Sequence, residues 1–470
     1  MTLTLERDVI ADRPIDEVFD YLSDFSTIEQ WDPGVVRARK ITPGKKAVGT
    51  RYALDLRYGP FPVSMTYTLS VLEKPSKIVV EGRGQSFTAV DTLTFQALGP
   101  RKTRITYRAD MDFEGFRAHV ARMLRPLLER IGTAAVRGLG EAFNRKPTVP
   151  RIGGLSSLLD RSVAGGLPAF TRFGYTWARR HFAPVVETLG GKTVVITGAT
   201  SGIGLAAARM IAHRGARLIL VARNPEKAEA VRRRIAHETG NDTIRLFTAD
   251  MSLLRDIDRL ADALMAEEPT IDVLINNAGA LYPTRQETDE GFERSFAVNL
   301  LGPYALTCRL IPALEASGGG RIINVSSGGM YTQGIVTNDL LFQNEPYDGT
   351  KAYARAKRGL VILTEHWARE LSPRDITVHA MHPGWVRTPG IKEALPGFYR
   401  LTDPVLRTPE EGADTLVWLA QAPEAGLSSG LFWLDRTPRV THVFRHTRET
   451  AADRHALVQA LETMVREKRP

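Results

Sequence analysis

A short glycine-rich stretch between two apolar segments places the strongest constraint on how this chain can fold. The run Val194-Val195-Ile196 is typical of a buried parallel strand, and the Ala-rich segment Leu205–His213 is typical of a helix. Gly198 permits a sharp turn between them, Gly202 allows a pyrophosphate close to the backbone, and Gly204 allows the helix to pack closely. The stretch therefore predicts phosphate binding at a helix N-terminus rather than an ordinary glycine-rich loop.

Strands and helices alternate after this stretch, which is the pattern of a parallel sheet covered on both faces. The predicted strands are Arg217–Ala222, Thr243–Thr248, Asp272–Asn276, Arg321–Val325, Ile376–His382 and Leu431–Leu434. The predicted helices begin near Pro225, Leu253, Glu290 and Lys351, and a last surface helix covers Thr450–Glu467. We therefore predict a doubly wound α/β Rossmann domain over residues 190–470.

Residues 1–145 have a different pattern, with apolar positions that alternate as in antiparallel strands. A first strand near Leu3 precedes a short helix within Pro14–Asp24. The further predicted strands are Val35–Ile41, Thr50–Tyr58, Val63–Leu72, Lys77–Gly82, Thr88–Ala97 and Thr103–Phe113. A long amphipathic helix from Phe116 to Ala135, bent at Pro126, closes this α+β domain. Residues 146–189 are predicted to be a connector with a short helix at Ser156–Val163.

Four motifs of the second domain resemble those of the short-chain dehydrogenase/reductase family and occur in the family's order. They are Thr197-Gly198 to Gly204 (TGxxxGxG), Asn276-Asn277-Ala278-Gly279 (NNAG), Tyr353 to Lys357 (YxxxK) and Pro383-Gly384 (PG). The segment Met381-His382-Pro383-Gly384-Trp385 is similar to the branch called dehydrogenase/reductase member twelve. The resemblance covers about Gly190–Gln459 and implies a strand order of 3-2-1-4-5-6-7 and hydride transfer with a nicotinamide cofactor.

The resemblance implies a catalytic tetrad of Asn299, Ser327, Tyr353 and Lys357. Lys357 lies one helical turn after Tyr353, so the two side chains share a face. Its ammonium is expected to lower the pKa of Tyr353 towards the working pH of a general acid/base. Ser327 would hydrogen-bond the reacting oxygen, and Asn299 would hold a water that connects Lys357 to solvent.

A second YxxxK sequence, Tyr347 to Lys351, lies just ahead of the first. It contains Gly349 where the helix should begin, whereas Tyr353 is followed by an amphipathic run. We therefore choose Tyr353 as the catalytic tyrosine. Residues 330–345, ahead of both tyrosines, are predicted to form a loop at the edge of the pocket.

The resemblance also assigns residues to the cofactor. Arg223 ends the second strand, where NAD-selective sites carry an acid, and its guanidinium can pair with a 2′-phosphate, so we predict NADP(H). Asp250 lies either near the adenine ring or at the cap of the following helix. The predicted cofactor contacts are Gly198, Thr200, Ser201, Gly202, Ile203, Gly204, Arg223, Asp250, Met251, Asn276, Asn277, Ala278, Gly279, Tyr353, Lys357, Pro383, Gly384, Val386 and Thr388.

The first domain resembles the START-like (SRPBCC) helix-grip superfamily of polyketide cyclases and lipid-binding proteins, in which a curved sheet and a long helix enclose an apolar cavity. The resemblance rests on this layout, on Glu17–Leu22 and on Trp31. Whether the aromatic positions line a cavity or fill a solid core stays open. Asp91 and His119 are isolated polar residues without a recognisable partner, so no catalysis is assigned here. The candidate lining residues are Phe61, Met65, Tyr67, Phe87, Phe95, Tyr107, Met123 and Leu127.

Composition limits the compartment and the partners. The single cysteine, Cys308, excludes an internal disulfide and favours a reducing cytoplasm, and no residue spacing predicts a metal site. The formal charge of +9 is spread among acids without a nucleic-acid motif, so no nucleic-acid partner is expected. The basic and aromatic residues between Phe170 and Phe182 suit a peripheral contact with an anionic membrane or, as we favour, an arm packed on the second domain.

The leading hypothesis is an NADP(H)-dependent oxidoreductase that acts on a hydrophobic carbonyl compound or alcohol. The apolar segment 389–402 is the predicted substrate loop. The alternative is a lipid-binding or carrier protein whose reductase domain senses NADP(H), and the intact tetrad argues against it. A third hypothesis is that the first domain itself cyclises or dehydrates a substrate, but no cluster of polar residues in its sequence supports this. Members of the family often form homodimers through the helices with Asn299 and Tyr353, so a homodimer is an open expectation.

Overall fold

The protein is described by a computed structural model at residues 2–58, 61–84, 87–113, 130, 132–144 and 168–468. The chain forms two compact units, each with its own hydrophobic core. One unit covers Met1–Pro147 with Phe182–Thr188 and His237–Gly240, and the other covers the remaining residues. The segment predicted as a connector is therefore divided between the two units.

A seven-stranded antiparallel sheet builds the first unit, which confirms the predicted helix-grip class. Its strand order is β1-β7-β6-β5-β4-β3-β2. The first strand, β1, therefore pairs with the last strand, β7, in a register that runs from Thr2 opposite Asp112 to Ala11 opposite Thr103. The predicted strands agree with the observed ones within about two residues at each end. The strands are β1 (Thr2–Ala11), β2 (Val35–Lys40), β3 (Arg51–Tyr58), β4 (Phe61–Glu73), β5 (Lys77–Gly84), β6 (Phe87–Gly99) and β7 (Lys102–Phe113).

Helices and alternate strand residues fill the core of this unit. Helices α1 (Ile15–Leu22) and α2 (Ile28–Trp31) lie between β1 and β2, and residues 132–144 form helix α3, which buries Leu139 and Phe143. Among the predicted lining residues, Met65, Tyr67, Phe95 and Tyr107 belong to the buried cluster. The side chains of Phe61 and Phe87, together with Met123, Leu127, His119, Pro126 and Ser156–Val163, lie outside the described residues.

The second unit contains an eight-stranded sheet of order β10-β9-β8-β11-β12-β13-β14-β15. The first seven strands are parallel, and their order confirms the predicted 3-2-1-4-5-6-7 arrangement of a Rossmann fold. The strands are β8 (Thr193–Thr197), β9 (Arg217–Ala222), β10 (Ile244–Thr248), β11 (Val273–Asn276), β12 (Arg321–Val325), β13 (Thr377–Met381), β14 (Phe432–Leu434) and β15 (Thr437–Arg439).

The edge strand β15 was not predicted. It pairs antiparallel to β14 through a two-residue turn, Asp435-Arg436, in which both φ angles are +53°. Such turns normally carry Asn or Gly, so this sequence gives no strong local signal for a hairpin.

Helices cover both faces of the second sheet. They are α4 (Arg172–Arg179), α5 (Gly202–His213), α6 (Pro225–Thr239), α7 (Leu254–Glu267), α8 (Arg294–Glu315), α9 (Gly349–Glu370), α10 (Pro389–Ala394), α11 (Pro396–Thr402), α12 (Pro409–Gln421), α13 (Pro423–Gly426) and α14 (Ala451–Lys468). Helix α8 is long and apolar enough to cross a membrane, yet 78% of its most apolar window is buried, as in a core helix.

The helix predicted near Glu290 begins later than expected. Glu293 caps α8 by accepting hydrogen bonds from the N–H groups of Ser295 and Phe296. Glu290 instead accepts from the N–H groups of Leu254 and Arg255, so its carboxylate caps α7, which is distant in sequence. Capping across such a separation cannot be read from local sequence.

The arm residues 168–179 pack on the second unit. The ring of Phe170 lies 4.6 Å from that of His382 between centroids, and Tyr175 on α4 is buried under the Arg407 guanidinium. Phe173 and Trp177 on the same helix are 73% and 65% exposed. The packed arm that we favoured from the sequence is therefore present in this segment.

Candidate active site

The glycine-rich turn has the geometry that phosphate binding needs. Gly198 has φ of +69° and Gly202 has φ of +53°, values that side-chain-bearing residues rarely adopt. A Cβ on Gly198 would lie 2.8 Å from the Cα of Ala278, and one on Gly204 would lie 2.3 Å from the Gly198 carbonyl oxygen. Ser201 precedes α5 without a side-chain capping bond. Thr200, Ser201 and Ile203 are partly or fully exposed beside the turn, so the first N–H groups of α5 can face an anion.

The NNAG segment is tied to the glycine-rich turn. Asn277 donates to the carbonyl oxygens of Thr197 and Gly198 at 2.8 and 3.1 Å, and the Thr197 hydroxyl accepts from the N–H groups of Asn277 and Ala278. Asn276 lies behind this edge with its side chain in the core. It donates to Thr307 and Asn324 and is 1% exposed, so this side chain belongs to the scaffold of the site.

Arg223 follows β9 at the edge of the crevice. Its side chain is 63% exposed, and its Nη1 lies 3.8 Å from Asp250 Oδ2. The other oxygen of Asp250 accepts from the N–H and hydroxyl of Ser252, while Met251 is buried. The cap of α7 is supplied by Glu290, so Asp250 is not the N-cap of that helix.

The PG segment faces the glycine-rich turn. Gly384 has φ of +80°, and a Cβ there would lie 2.3 Å from Arg407 Nε, so only glycine fits. Pro383 and Val386 are buried in the same segment. The Thr388 hydroxyl accepts from the N–H of Ile391, and its methyl group lies 3.1 Å from the position of a Cβ on Gly202.

Tyr353 and Ser327 meet at this edge of the sheet. Ser327 follows β12, and Tyr353 lies in the second turn of α9, close enough for the two side chains to interact. Burial raises the pKa of Tyr353, and Ser327 lowers it in part. The expected lowering of this pKa below its usual value by Lys357 is therefore wrong, because burial outweighs the lowering, which comes from Ser327.

Lys357 explains this result. Its amine lies 5.7 Å from the centre of the Tyr353 ring and donates to the Val325 carbonyl oxygen at 2.8 Å. The side chain is 2% exposed, and burial lowers the pKa of Lys357 to about 7. The amine therefore carries only part of a charge at neutral pH, which weakens its effect on the phenol.

Asn299 lies in a π-helical turn, Ala297–Leu301, inside α8. Such turns occur frequently at functional sites. Its amide nitrogen donates to the carbonyl oxygens of Ala280 and Ser295, while its buried Oδ1 has no hydrogen-bond partner in the described part of the chain. A Cβ on Gly279 would lie 2.7 Å from this oxygen and 3.1 Å from Lys357 Nζ, so Gly279 leaves the two groups facing the same small space.

The competing tyrosine lies elsewhere. Tyr347 precedes α9, and its hydroxyl contacts Glu293 Oε1 at 3.0 Å, with burial raising its pKa to about 12. Lys351 pairs with Glu345 at 3.8 Å. The loop over residues 332–348 packs against the core through Ile335, Leu340 and Leu341, and Phe342 is buried. The hydroxyl of Tyr347 is therefore bound by Glu293 rather than by Ser327, which favours Tyr353 as the catalytic tyrosine.

Several residues that support the site were not identified from the sequence. Asn324 connects Asn276 to the Thr364 hydroxyl through buried hydrogen bonds. Arg407 binds Asp435 and the carbonyl oxygen of Phe170. A buried polar residue inside an apolar strand was the available signal for Asn324, whereas nothing local marks Arg407.

Comparison with known proteins agrees with this geometry. Residues 192–396 match the short chain dehydrogenase family, and residues 2–144 match a family described as polyketide cyclase / dehydrase and lipid transport. Dehydrogenase/reductase SDR family member 12 of Bos taurus is 41% identical over 316 residues, which are 66% of this chain and 99% of that protein. Retinol dehydrogenase 13 of Homo sapiens is 36% identical over 262 residues, or 53% of this chain and 78% of that protein.

Dehydrogenase/reductase SDR family member 12 of Homo sapiens is 41% identical over 313 residues, covering 65% of this chain and 98% of that protein. The similarity therefore extends over nearly the whole length of both member 12 proteins. Together with the Rossmann sheet and the family match, it establishes that the chain belongs to the short-chain dehydrogenase/reductase family of oxidoreductases.

Proposed function

We propose that this protein is an NADP(H)-dependent reductase of hydrophobic carbonyl compounds, and that it oxidises the corresponding alcohols in the reverse direction. The observation that carries the proposal is that the side chains of Tyr353 and Ser327 interact at the edge of the sheet, beside the Lys357 amine. A phenol and a hydroxyl that meet beside a glycine-lined crevice can bind one substrate oxygen together.

The residues of the crevice fit a phosphorylated dinucleotide. Gly198 and Gly202 leave backbone open to a pyrophosphate at the start of α5, and the exposed guanidinium of Arg223 can form a bidentate contact with a 2′-phosphate. Thr388 lies across the turn from Gly202 and can contact the nicotinamide amide. A bound nicotinamide cofactor would supply or accept the hydride.

The protein's own groups handle the proton. Because the pKa of Tyr353 is raised, its hydroxyl is protonated at neutral pH and can donate to a carbonyl oxygen during reduction. The Ser327 hydroxyl stabilises the charge that develops on that oxygen. Lys357, with a pKa of about 7, can exchange a proton near neutral pH, and the free Asn299 Oδ1 offers an acceptor on its route to solvent.

The substrate loop supports an apolar substrate. It forms α10 and α11, and the Phe398 ring packs against the Trp385 ring with 5.2 Å between centroids. Leu401 on α11 is 83% exposed. Retinol dehydrogenases among the relatives are named for an apolar alcohol, which is consistent with this composition.

The test is a cofactor oxidation assay with the full chain. Retinal, a steroid ketone, a quinone and a long-chain aldehyde are each supplied with NADPH or NADH. We expect turnover of at least one carbonyl compound, faster with NADPH, and a loss of about 100-fold or more in Tyr353→Phe. Tyr347→Phe is the matched control and should keep its rate. Turnover that survives Tyr353→Phe, or that fails in Tyr347→Phe alone, contradicts the proposal.

The match of residues 2–144 favours a second, additional function for the first unit, which we propose binds an apolar ligand. Its inner sheet face carries a large buried aromatic and aliphatic cluster. Mass spectrometry of ligands that co-purify with the full chain tests this proposal. Purified protein that carries no apolar molecule and binds none contradicts it.

A further inference from the structure

A carboxylate interrupts the apolar inner face of the first sheet. Asp91 lies on β6 between Ala89 and Leu93, which point to the same side and are buried. Its own side chain is 4% exposed. The expectation that Asp91 is isolated and without a partner is wrong, because the register of the sheet brings two phenols to it.

The two phenols come from different strands. Tyr107 on β7 donates to Asp91 Oδ1 at 2.8 Å. Tyr67 on β4 also interacts with Asp91 and lowers its pKa in part, although β5 lies between their strands. It reaches across because Gly82 on β5 has no side chain: a Cβ there would lie 2.6 Å from the Tyr67 ring. The glycine therefore leaves the space through which the phenol reaches the carboxylate.

A second acid and an indole complete the cluster. Asp32 is 8% exposed, and its charge acts on both Asp91 and Tyr107. The neighbouring Trp31 packs its ring edge-on to Tyr107, with 6.0 Å between centroids. The indole is 3% exposed, and its Nε1–H donates to no group in the described residues. A buried N–H donor without an acceptor is costly, so it points to a ligand that supplies one.

We propose that Asp91, Asp32, Tyr67, Tyr107 and Trp31 form a binding site for the hydroxyl group of an apolar alcohol or phenol. This site lies within the first unit and is independent of the dehydrogenase chemistry of the second unit. It goes beyond apolar ligand binding because it assigns the polar group that the ligand carries and the residues that recognise it.

The unused hydrogen-bond donor and acceptor positions of these five side chains match a hydroxyl group. The Trp31 N–H needs an acceptor, whereas the two carboxyl groups have more acceptor positions than the two phenols and the N–H of Gly34 use. A hydroxyl accepts one bond and donates another, so it matches both needs. Burial raises the pKa of Asp91 to about 7 and that of Asp32 to about 6, which agrees with carboxyl groups that share an apolar interior.

The experiment compares three probes of similar shape. Affinities are measured by equilibrium dialysis with the full chain. The hydroxyl of 2-naphthol donates and accepts a hydrogen bond, the ether oxygen of 2-methoxynaphthalene only accepts one, and naphthalene does neither. We expect wild type to bind 2-naphthol about tenfold more tightly than naphthalene. Trp31→Phe and Asp91→Asn should each reduce this ratio by about threefold or more while leaving naphthalene binding unchanged.

Matched controls come from outside the cluster. Asp55→Asn changes a carboxylate on β3 that accepts from the Ser64 hydroxyl, and Trp177→Phe changes an exposed indole, so both should keep the wild-type ratio. Equal affinity for the three probes, no binding of any probe, or a ratio that persists in Trp31→Phe and Asp91→Asn would overturn the proposal. The same holds if those variants only lower the melting temperature, or if Tyr353→Phe abolishes the ratio, because the probe then binds in the second unit.

Discussion

The His382 imidazole accepts a hydrogen bond at Nδ1 from the backbone N–H of Gly328, the residue after Ser327, at 3.2 Å. The same nitrogen accepts from the N–H of Gly384 at 3.3 Å. These bonds assign the proton of the neutral ring to Nε2. One side chain thus connects the loop that carries Ser327 with the PG loop, and the distance between the two loops depends on it.

Two substitutions of His382 separate its roles. His382→Asn keeps an oxygen that can accept one of the two N–H groups, so we expect kcat to fall by about threefold or less. His382→Leu leaves both donors unpaired in a buried site, which should cost about 1–3 kcal/mol of stability and reduce kcat by at least tenfold. Steady-state kinetics and thermal melts measure both effects. Equal kcat values for the two variants would contradict a positioning role.

The same pair of variants predicts a change in acid stability. Burial lowers the pKa of His382 from 6.5 to about 3, and the charges of Arg407 and Arg439 add to this. Between these two values the unfolded chain binds more protons than the folded one, so stability falls as the pH drops through this window. His382→Asn removes that contribution. We expect a smaller loss of unfolding free energy between pH 6.5 and pH 4 than in wild type, and an unchanged loss would refute the assignment.

Local spacing made the centre of the site predictable. The glycine motif lies within one strand–turn–helix unit, and Tyr353 and Lys357 lie one turn apart on α9. Backbone conformation and helix periodicity set these relationships, and both are encoded by residues close in the chain. The same holds for the strand order, because alternating strands and helices restrict the topology.

Relationships that depend on register or on distant segments could not be predicted. Tyr67 reaches towards Asp91 because Gly82, which is opposite Tyr67 on β5, has no side chain, and a shift of one residue in the register would separate the two groups. The pKa of Lys357 follows from its burial, which requires the complete packing around α9. A sequence gives the residue types of such groups and leaves their surroundings undetermined.

Lys357 should reduce the stability of the folded protein at neutral pH. Its pKa falls from 10.5 to about 7 through burial, so between these values the unfolded chain binds more protons and stability rises with pH. Lys357→Met removes this dependence. We expect the variant to be inactive, yet about 1 kcal/mol more stable than wild type at pH 7, with the advantage lost by pH 10. Denaturant titrations at the two pH values measure it.

Lys351→Met is the matched control for this prediction. Lys351 is a half-exposed lysine on the same helix, paired with Glu345 at 3.8 Å. Its substitution should change stability by less than about 0.5 kcal/mol at either pH. A Lys357→Met variant that is less stable than wild type at pH 7 and equally so at pH 10 would show that the pKa of the buried amine is not lowered on folding.

Arg223 should determine the preference for the phosphorylated cofactor. Its guanidinium is exposed, and its contact with Asp250, at 3.8 Å, is long for an ion pair. The guanidinium is therefore available to a 2′-phosphate. Arg223→Ala should weaken NADPH binding by about tenfold or more and leave NADH binding within about twofold. Fluorescence titration of the reduced nicotinamide measures both. Arg245→Ala, an exposed arginine of β10 paired with Glu267, is the control, and an equal loss for both cofactors in Arg223→Ala would reject the assignment.

The buried pair Arg407–Asp435 should contribute more to stability than any exposed ion pair of this unit. Its two oxygen contacts are 2.6 and 2.8 Å, and the side chains are 1% and 2% exposed. The guanidinium also donates to the carbonyl oxygens of Phe170 and Thr171. Arg407→Met leaves the Asp435 carboxylate buried without its counter-charge, so we expect a loss of about 3–5 kcal/mol in the free energy of unfolding.

A double-mutant cycle tests the cause of that loss. If the unpaired carboxylate is responsible, Asp435→Asn added to Arg407→Met should recover about 1 kcal/mol or more. Arg436→Met is the comparison, because its bidentate contact with Asp414 is less buried, at 19% and 12% exposure, and its loss should be smaller. Equal losses for the two arginines, or no recovery in the double variant, would mean that the bonds from Arg407 to the arm carbonyls, rather than the ion pair, hold this part of the site.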